Sequence, residues 1–222
     1  GSLENLPDRI DLVTLNYVAE HLLDVKSVLR SLAPKMSSTG LVSIVVPNLE
    51  RNPYDLVVAD HLSHYSPESI YSQVRSLMKI EVCAEFLGKE LFVLGQLRAK
   101  DSEPTSSTTV RYRGLTQKSI EHLLRIRAMA RDLMKEYRQF GILGTAIAGT
   151  WLTCELNCPE TFFVEEDERK QGGKHLQRSV IAPSDASSDA CIFLPFIRSA
   201  AVTIRKRISI QTPAVVVDPW SD

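Results

Sequence analysis

Ile10-Asp-Leu-Val-Thr-Leu15, Val25-Lys-Ser-Val-Leu-Arg-Ser-Leu-Ala33 and Gly40-Leu-Val-Ser-Ile-Val-Val46 follow one another near the start of the chain. The first and third runs are short, apolar and rich in β-branched residues, as strands buried in a sheet are. The middle run carries Val25, Val28, Leu29 and Leu32 at helical spacing. Strand, helix, strand predicts two parallel strands joined by a crossover helix.

The same reading extends outward. Ser66-Pro67 is an N-cap followed by a first-turn proline and predicts a helix to about Met78, with Ile70, Val74 and Leu77 on one face. Ile80 to Phe86 and Leu91 to Leu97 flank Leu87-Gly88-Lys89-Glu90 and predict an antiparallel hairpin. Asp101 to Thr109, with Pro104 among serines and threonines, has the composition of a linker. Thr116 to Gln139 then places Ile120, Leu123, Leu124, Ile126, Ala130, Leu133 and Met134 at helical spacing. A helix of that length spans about 35 Å and is expected to bridge two domains. Beyond it, Phe140 to Leu143, Thr161 to Val164, Val180 to Ile181, Ala190 to Leu194 and Val215 to Val217 are five short β-type runs. They predict a second, smaller doubly wound unit. The expected division is residues 1–100, a linker over 101–115, and a bridging helix with a Rossmann-like domain over 116–222.

Composition sets the outer bounds. The 222 residues are 44% hydrophobic and 24% charged, as in ordinary globular chains. Twenty-six basic residues against 27 acidic ones give a net charge of -1, so no global field recruits nucleic acid or an anionic membrane. No apolar run approaches the roughly 20 residues that cross a bilayer. Cys83, Cys154, Cys158 and Cys191 form no Cys-x-x-Cys pair, and Cys154 and Cys158 read as small core residues on a helix. Reduced thiols without an export signal imply a cytoplasmic protein.

Three segments carry chemistry. Asp11-Leu-Val-Thr-Leu-Asn16-Tyr-Val-Ala-Glu20-His21-Leu-Leu-Asp24 ends a strand beside a Glu-His pair, which on its own reads as the capped, solvated start of a helix. Asp60-His61-Leu-Ser-His64-Tyr65-Ser66-Pro67 places a carboxylate beside an imidazole ahead of a helix. Such an imidazole suits general-base work near neutrality. Gly141-Ile-Leu-Gly144-Thr145-Ala-Ile-Ala-Gly149-Thr150 runs from a strand into a helix and offers backbone N–H groups to a phosphate. The next strand ends Glu165-Glu166-Asp167, about where a Rossmann unit puts its ribose-binding acid, and Arg169-Lys170-Gln171-Gly172 follows. A turn that merely packs helix on sheet reads equally well from the same glycines.

These segments resemble class I S-adenosylmethionine-dependent methyltransferases of the sugar C-methyltransferase kind. Asp11 to Asp24 is similar to the family's fourth motif, Leu41 to Asn48 to its fifth strand and loop, Asp60 to Pro67 to its base-bearing loop, and Phe162 to Gly172 to its C-terminal domain. The fold implied is a partial Rossmann-like methyltransferase sheet followed by a second smaller doubly wound α/β domain. The resemblance implies S-adenosylmethionine as cofactor, touched by Asn16 and Tyr17, and His61 as catalytic base with Asp60 as its partner. His64 and Tyr65 are further candidates for the same pocket. It also implies a nucleotide-linked keto sugar as substrate, met by Gly144, Thr145, Gly149, Glu165 and Lys170. No metal is implied. Apart from Gly1 no glycine precedes Gly40. The resemblance therefore covers the later half of the catalytic domain, and the chain alone is expected to bind S-adenosylmethionine weakly. A non-catalytic nucleotide-sugar or phosphate-binding module is the other expectation. The first strand, with one side unpaired, is expected to be covered by a homodimer partner or another chain.

Overall fold

The computed structural model describes residues 5–99 and 109–220, the side chains of 109–113 excepted. Two compact units, Gly1–Ser119 and Ile120–Asp222, make up the chain, and both are of the α/β class. The expected linker segment Asp101 to Thr108 lies outside the described residues.

In the first unit the elements are β1 (Ile10–Asn16), α1 (Val25–Leu32), β2 (Met36–Pro47), α2 (Pro67–Val74), β3 (Met78–Phe86) and β4 (Glu90–Leu97). The sheet order is β1-β2-β4-β3. β1 and β2 are parallel, with Leu15 opposite Ile44, and β4 is antiparallel to both β2 and β3. Helix α1 forms where Asp24 caps it, accepting from the Ser27 N–H at 3.1 Å and the Ser27 hydroxyl at 2.6 Å. Its buried residues Val25, Leu29 and Leu32 lie four and seven apart on one face, and Val25 and Leu29 join Ile44, Ile70 and Val93 in one core. Helix α2 opens with a capping box between Ser66 and Ser69 and Pro67 at its first position.

Two boundaries differ from the sequence reading. β2 starts at Met36, not Gly40, because Ile10 pairs with Met36 and the Ser37 hydroxyl bonds Asp11 at 2.7 Å. α2 stops at Val74 because Met78 is already taken by the pairing of β3 with Leu97 in β4.

Helix α3 (Thr109–Glu136) begins in the first unit and ends in the second. It starts seven residues before the expected Thr116, so 109–115 are helical and not linker. Leu123, Ile126 and Ala130 are its buried apolar residues among those described, whereas Ile120 and Leu124, expected at the same helical spacing, are exposed.

The second unit continues with β5 (Gln139–Leu143), α4 (Ile147–Leu156), β6 (Phe162–Val164), β7 (Lys174–His175), β8 (Arg178–Ile181), β9 (Ala190–Phe193), α5 (Arg198–Gln211) and β10 (Val215–Val217). The sheet order is β10-β9-β5-β6-β8-β7. All strand pairs are parallel except β7 with β8. The chain leaves β5 towards β6 on one side and leaves β9 towards β10 on the other. The carboxyl ends of β5 and β9 therefore form a topological switch point, where open α/β sheets bind ligands. This is the doubly wound unit that the five β-type runs predicted, with the two-residue β7 added. The cysteines depart from expectation: Cys154 is exposed and Cys158 lies beyond the end of α4, while Cys191 alone is buried, which pushes its thiol up to about 12.

Candidate functional sites

The first site sits at the carboxyl end of β1. Tyr17 turns the chain there with φ 53, its N–H donating to the Val45 carbonyl at 2.9 Å and its hydroxyl to Glu90 Oε1 at 3.1 Å. Burial, and then the Glu90 carboxylate, raise the Tyr17 phenol above its ordinary value, so it remains a donor. Asn16 and Tyr17 are both exposed. A 3-10 turn, Ala19–His21, follows. Its Glu20 carbonyl accepts the N–H groups of Leu62 and Ser63 at 2.8 and 3.1 Å, tying the histidine-bearing loop to the end of the strand.

That loop converges on Asp55, which a second 3-10 turn, Pro53–Val57, buries to 1% exposure. His61 Nδ1 is 2.6 Å from Asp55 Oδ1, and His64 Nδ1 is 2.6 Å from Asp55 Oδ2. An ionised carboxylate only accepts, so each ring donates Nδ1–H and keeps its basic lone pair on Nε2. Distances this short mark charge-assisted bonds, which grow stronger when a ring becomes imidazolium. The arrangement holds two imidazoles in the tautomer that takes up a proton.

Asp60, expected as the partner of His61, is not. Its backbone carbonyl meets His21 Nδ1 at 2.9 Å, and its mostly exposed carboxylate lies 3.4 Å from the same nitrogen. Neighbouring residues on a loop project differently, and the carboxylate six positions upstream reaches the ring instead. Tyr65 is also displaced from a chemical role: it is buried, its hydroxyl donates to the Ala19 carbonyl at 3.4 Å, and burial raises its phenol. Glu20, expected as a solvated residue, is 1% exposed, and neither carboxylate oxygen has a hydrogen-bond partner among the described residues. Burial raises its carboxyl above the ordinary value against the pull first of its own backbone N–H and then of His61 and His21. His21 meets His61 edge to face, ring centroids 4.8 Å apart. Beside His64 lies a cavity of about 290 Å³ whose lining sets the hydroxyls and amide of Ser63, Ser66, Ser69, Gln73 and Thr116 beside the apolar side chains of Leu49 and Leu115, without a carboxylate.

The second site lies at the switch point of the second unit. Gly144 follows β5 with φ 87, and the ring of Phe196, beyond β9, lies 3.5 Å from where its Cβ would stand. A Cβ on Gly149 would come within 2.0 Å of the Gly144 carbonyl oxygen, so only glycine lets α4 approach the turn this closely. Thr145 donates its N–H and hydroxyl to Glu165 Oε2 at 3.2 and 2.9 Å, and Lys170 Nζ reaches both Thr145 Oγ1 and Glu165 Oε2 at 3.3 Å. Burial pushes the Glu165 carboxyl up, but the bonds from Thr145 and Lys170 together outweigh it and leave its pKa below the ordinary value. The five residues singled out from the sequence are thus one cluster. The turn offers fewer free amides than its sequence suggests, because the Gly144 and Thr145 N–H groups are taken by the Val164 carbonyl and by Glu165. Helix α4 still begins without a side-chain cap among the described residues.

No helix among the described residues is long and apolar enough to cross a membrane. No family model matches the sequence, and no curated protein matches it. Among solved structures the chain is similar to that of the pyocyanin biosynthetic protein PhzM, with 19% identity and a TM-score of 0.35 over 44% of this chain and 34% of that one. It is also similar to the T. Thermophilus 16S rRNA N2 G1207 methyltransferase (RsmC) in complex with AdoMet and guanosine, with 13% identity and a TM-score of 0.31 over 95% of this chain and 64% of that one. The chain thus spans about a third and just under two thirds of these two lengths.

Proposed function

We propose that the chain belongs to an S-adenosylmethionine-dependent C-methyltransferase and acts on a nucleotide-linked keto sugar. The observation that carries this reading is the buried Asp55 gripping His61 and His64, each at 2.6 Å, beside the end of β1. Methylating a carbon requires removal of the proton α to a ketone. His61 Nε2 accepts that proton, and the Asp55 carboxylate stabilises the imidazolium that results. His64, on the other Asp55 oxygen, borders the cavity, where neutral hydroxyls and an amide lie beside Leu49 and Leu115, a mixed surface that suits a sugar ring. S-adenosylmethionine, when bound, supplies the electrophilic methyl group. Asn16 and Tyr17, exposed at the carboxyl end of a parallel strand, fit one edge of such a ligand.

The cluster of Gly144, Thr145, Gly149, Glu165 and Lys170 favours a second reading, in which the chain is a nucleotide-sugar or phosphate-binding module without catalysis. Incubating the protein in D2O with a nucleotide-linked keto sugar separates the two. Loss of the proton signal α to the ketone supports the base. A sugar that binds without exchange overturns it in favour of the module. We further propose that β1, an edge strand among the described residues with Leu12 57% exposed, is covered by a second copy of the chain or by another chain.

A further inference from the structure

A carboxylate that is 1% exposed with both oxygens unpartnered is a costly object, and native structures pair such groups with a hydrogen-bond donor or a cation. Glu20 faces no lysine or arginine that bonds it among the described residues. What it faces are two imidazoles: one ligand atom from each of Glu20, His21 and His61 lies within 4.8 Å of the others. The outer nitrogens of both rings are already committed. His21 Nδ1 must donate to the Asp60 carbonyl, which only accepts, and His61 Nδ1 donates to Asp55. Each ring therefore keeps its lone pair on Nε2. A histidine held through Nδ1 by a carboxylate or a backbone carbonyl, with Nε2 free, is how metal-binding imidazoles are oriented.

We propose that Glu20, His21 and His61 form a site for a divalent transition-metal ion, zinc above all. Two imidazoles and one carboxylate are a zinc donor set, and the fourth tetrahedral position falls to water or a substrate oxygen. Ligand bonds of about 2.0–2.1 Å set the donors about 3.4 Å apart, so small side-chain rotations close the site. The His21 side chain, 35% exposed, provides the way in. The second nearby group, Asp55 with His61 and His64, is not the site, because its nitrogens already bond the carboxylate directly at 2.6 Å. Zinc on His61 Nε2 occupies the lone pair that proton abstraction needs. Metal-loaded and base-competent states thus exclude each other, and the binding itself does not rest on the proposed reaction.

The test is titration of the metal-free chain with zinc, read by calorimetry and by thermal melting. The account predicts one zinc per chain at micromolar affinity or tighter, about -8 kcal/mol, and a rise in Tm. Glu20→Gln and His21→Gln should each weaken binding at least tenfold. Glu20→Gln removes a buried unpartnered charge, so it should melt no lower than the parent without metal yet gain nothing from zinc. Replacing the exposed Cys83 and Cys154 and the half-buried Cys158 by serine should leave zinc binding unchanged. Absence of saturation by about 100 µM zinc, unaltered affinity in Glu20→Gln, or loss of binding with the cysteines would each overturn the site.

Discussion

His61 and His64 hang from the two oxygens of a single buried carboxylate, Asp55, each at 2.6 Å. Asparagine at position 55 has one acceptor and one donor, so it can orient only one of the two rings in the present tautomer. Asp55→Asn should lower deuterium exchange into the keto sugar by about 10²-fold or more and stability by about 1–3 kcal/mol. Asp60→Asn, whose side chain lies by His21 and not by His61, should cost far less. Equal losses in the two variants would return the partner role to Asp60. The exchange rate and the denaturant midpoint report the two effects separately.

Glu165 provides a pH signature in the second unit. Its folded pKa lies below the ordinary value of 4.5, so its stabilising contribution is present above pH 4.5 and is lost as pH falls through the folded value. Glu165→Gln should therefore melt lower than the parent near neutrality, by about 1–3 kcal/mol of stability. The gap should close below pH 4.5. A gap that persists or widens in acid would show that the carboxylate is not what Thr145 and Lys170 bind.

Gly149 is a steric test of the turn after β5. A methyl group there meets the Gly144 carbonyl oxygen at 2.0 Å, which no rotation relieves because both partners are backbone. Gly149→Ala should cost about 1–3 kcal/mol or more, seen as an earlier unfolding transition, and should weaken binding of a nucleotide-linked sugar. A neutral substitution would mean that α4 sits further from the turn.

The edge of β1 predicts association. Leu12 points outward at 57% exposure, and Val13, half buried, packs against the core of its own unit. Sedimentation at increasing concentration should show a two-fold dimer, and Leu12→Lys or Val13→Lys should weaken it, Leu12→Lys without loss of the fold. A chain that stays monomeric at high concentration would remove the second copy from the account and leave the edge to another chain.

Much of the architecture is legible along the chain because periodicity reports burial locally. The apolar runs at Ile10 and Gly40, the helical spacing from Val25 and the turn at Leu87-Gly88 each specify their element. Elements defined by pairing are not legible: Ser37 to Thr39 are polar, yet lie in a strand whose first residue, Met36, pairs with Ile10 of β1, and β7 is two polar residues. The start of α3 is hidden because a serine- and threonine-rich approach imitates a linker. In the sites, His61 and the Gly144–Glu165–Lys170 cluster can be found from turn chemistry. Asp55 cannot, since a 3-10 turn delivers it and no regular spacing links it to either histidine. Glu20 misleads because a glutamate near a helix start is ordinarily solvated.

The most direct test of the central claim is His61→Asn, measured for exchange of the proton α to the ketone in D2O alongside its affinity for the same nucleotide-linked sugar. Asparagine keeps a hydrogen-bonding side chain and cannot act as the base. The account predicts exchange lowered by about 10²- to 10⁴-fold with affinity nearly unchanged. Exchange at the parent rate in His61→Asn would contradict it.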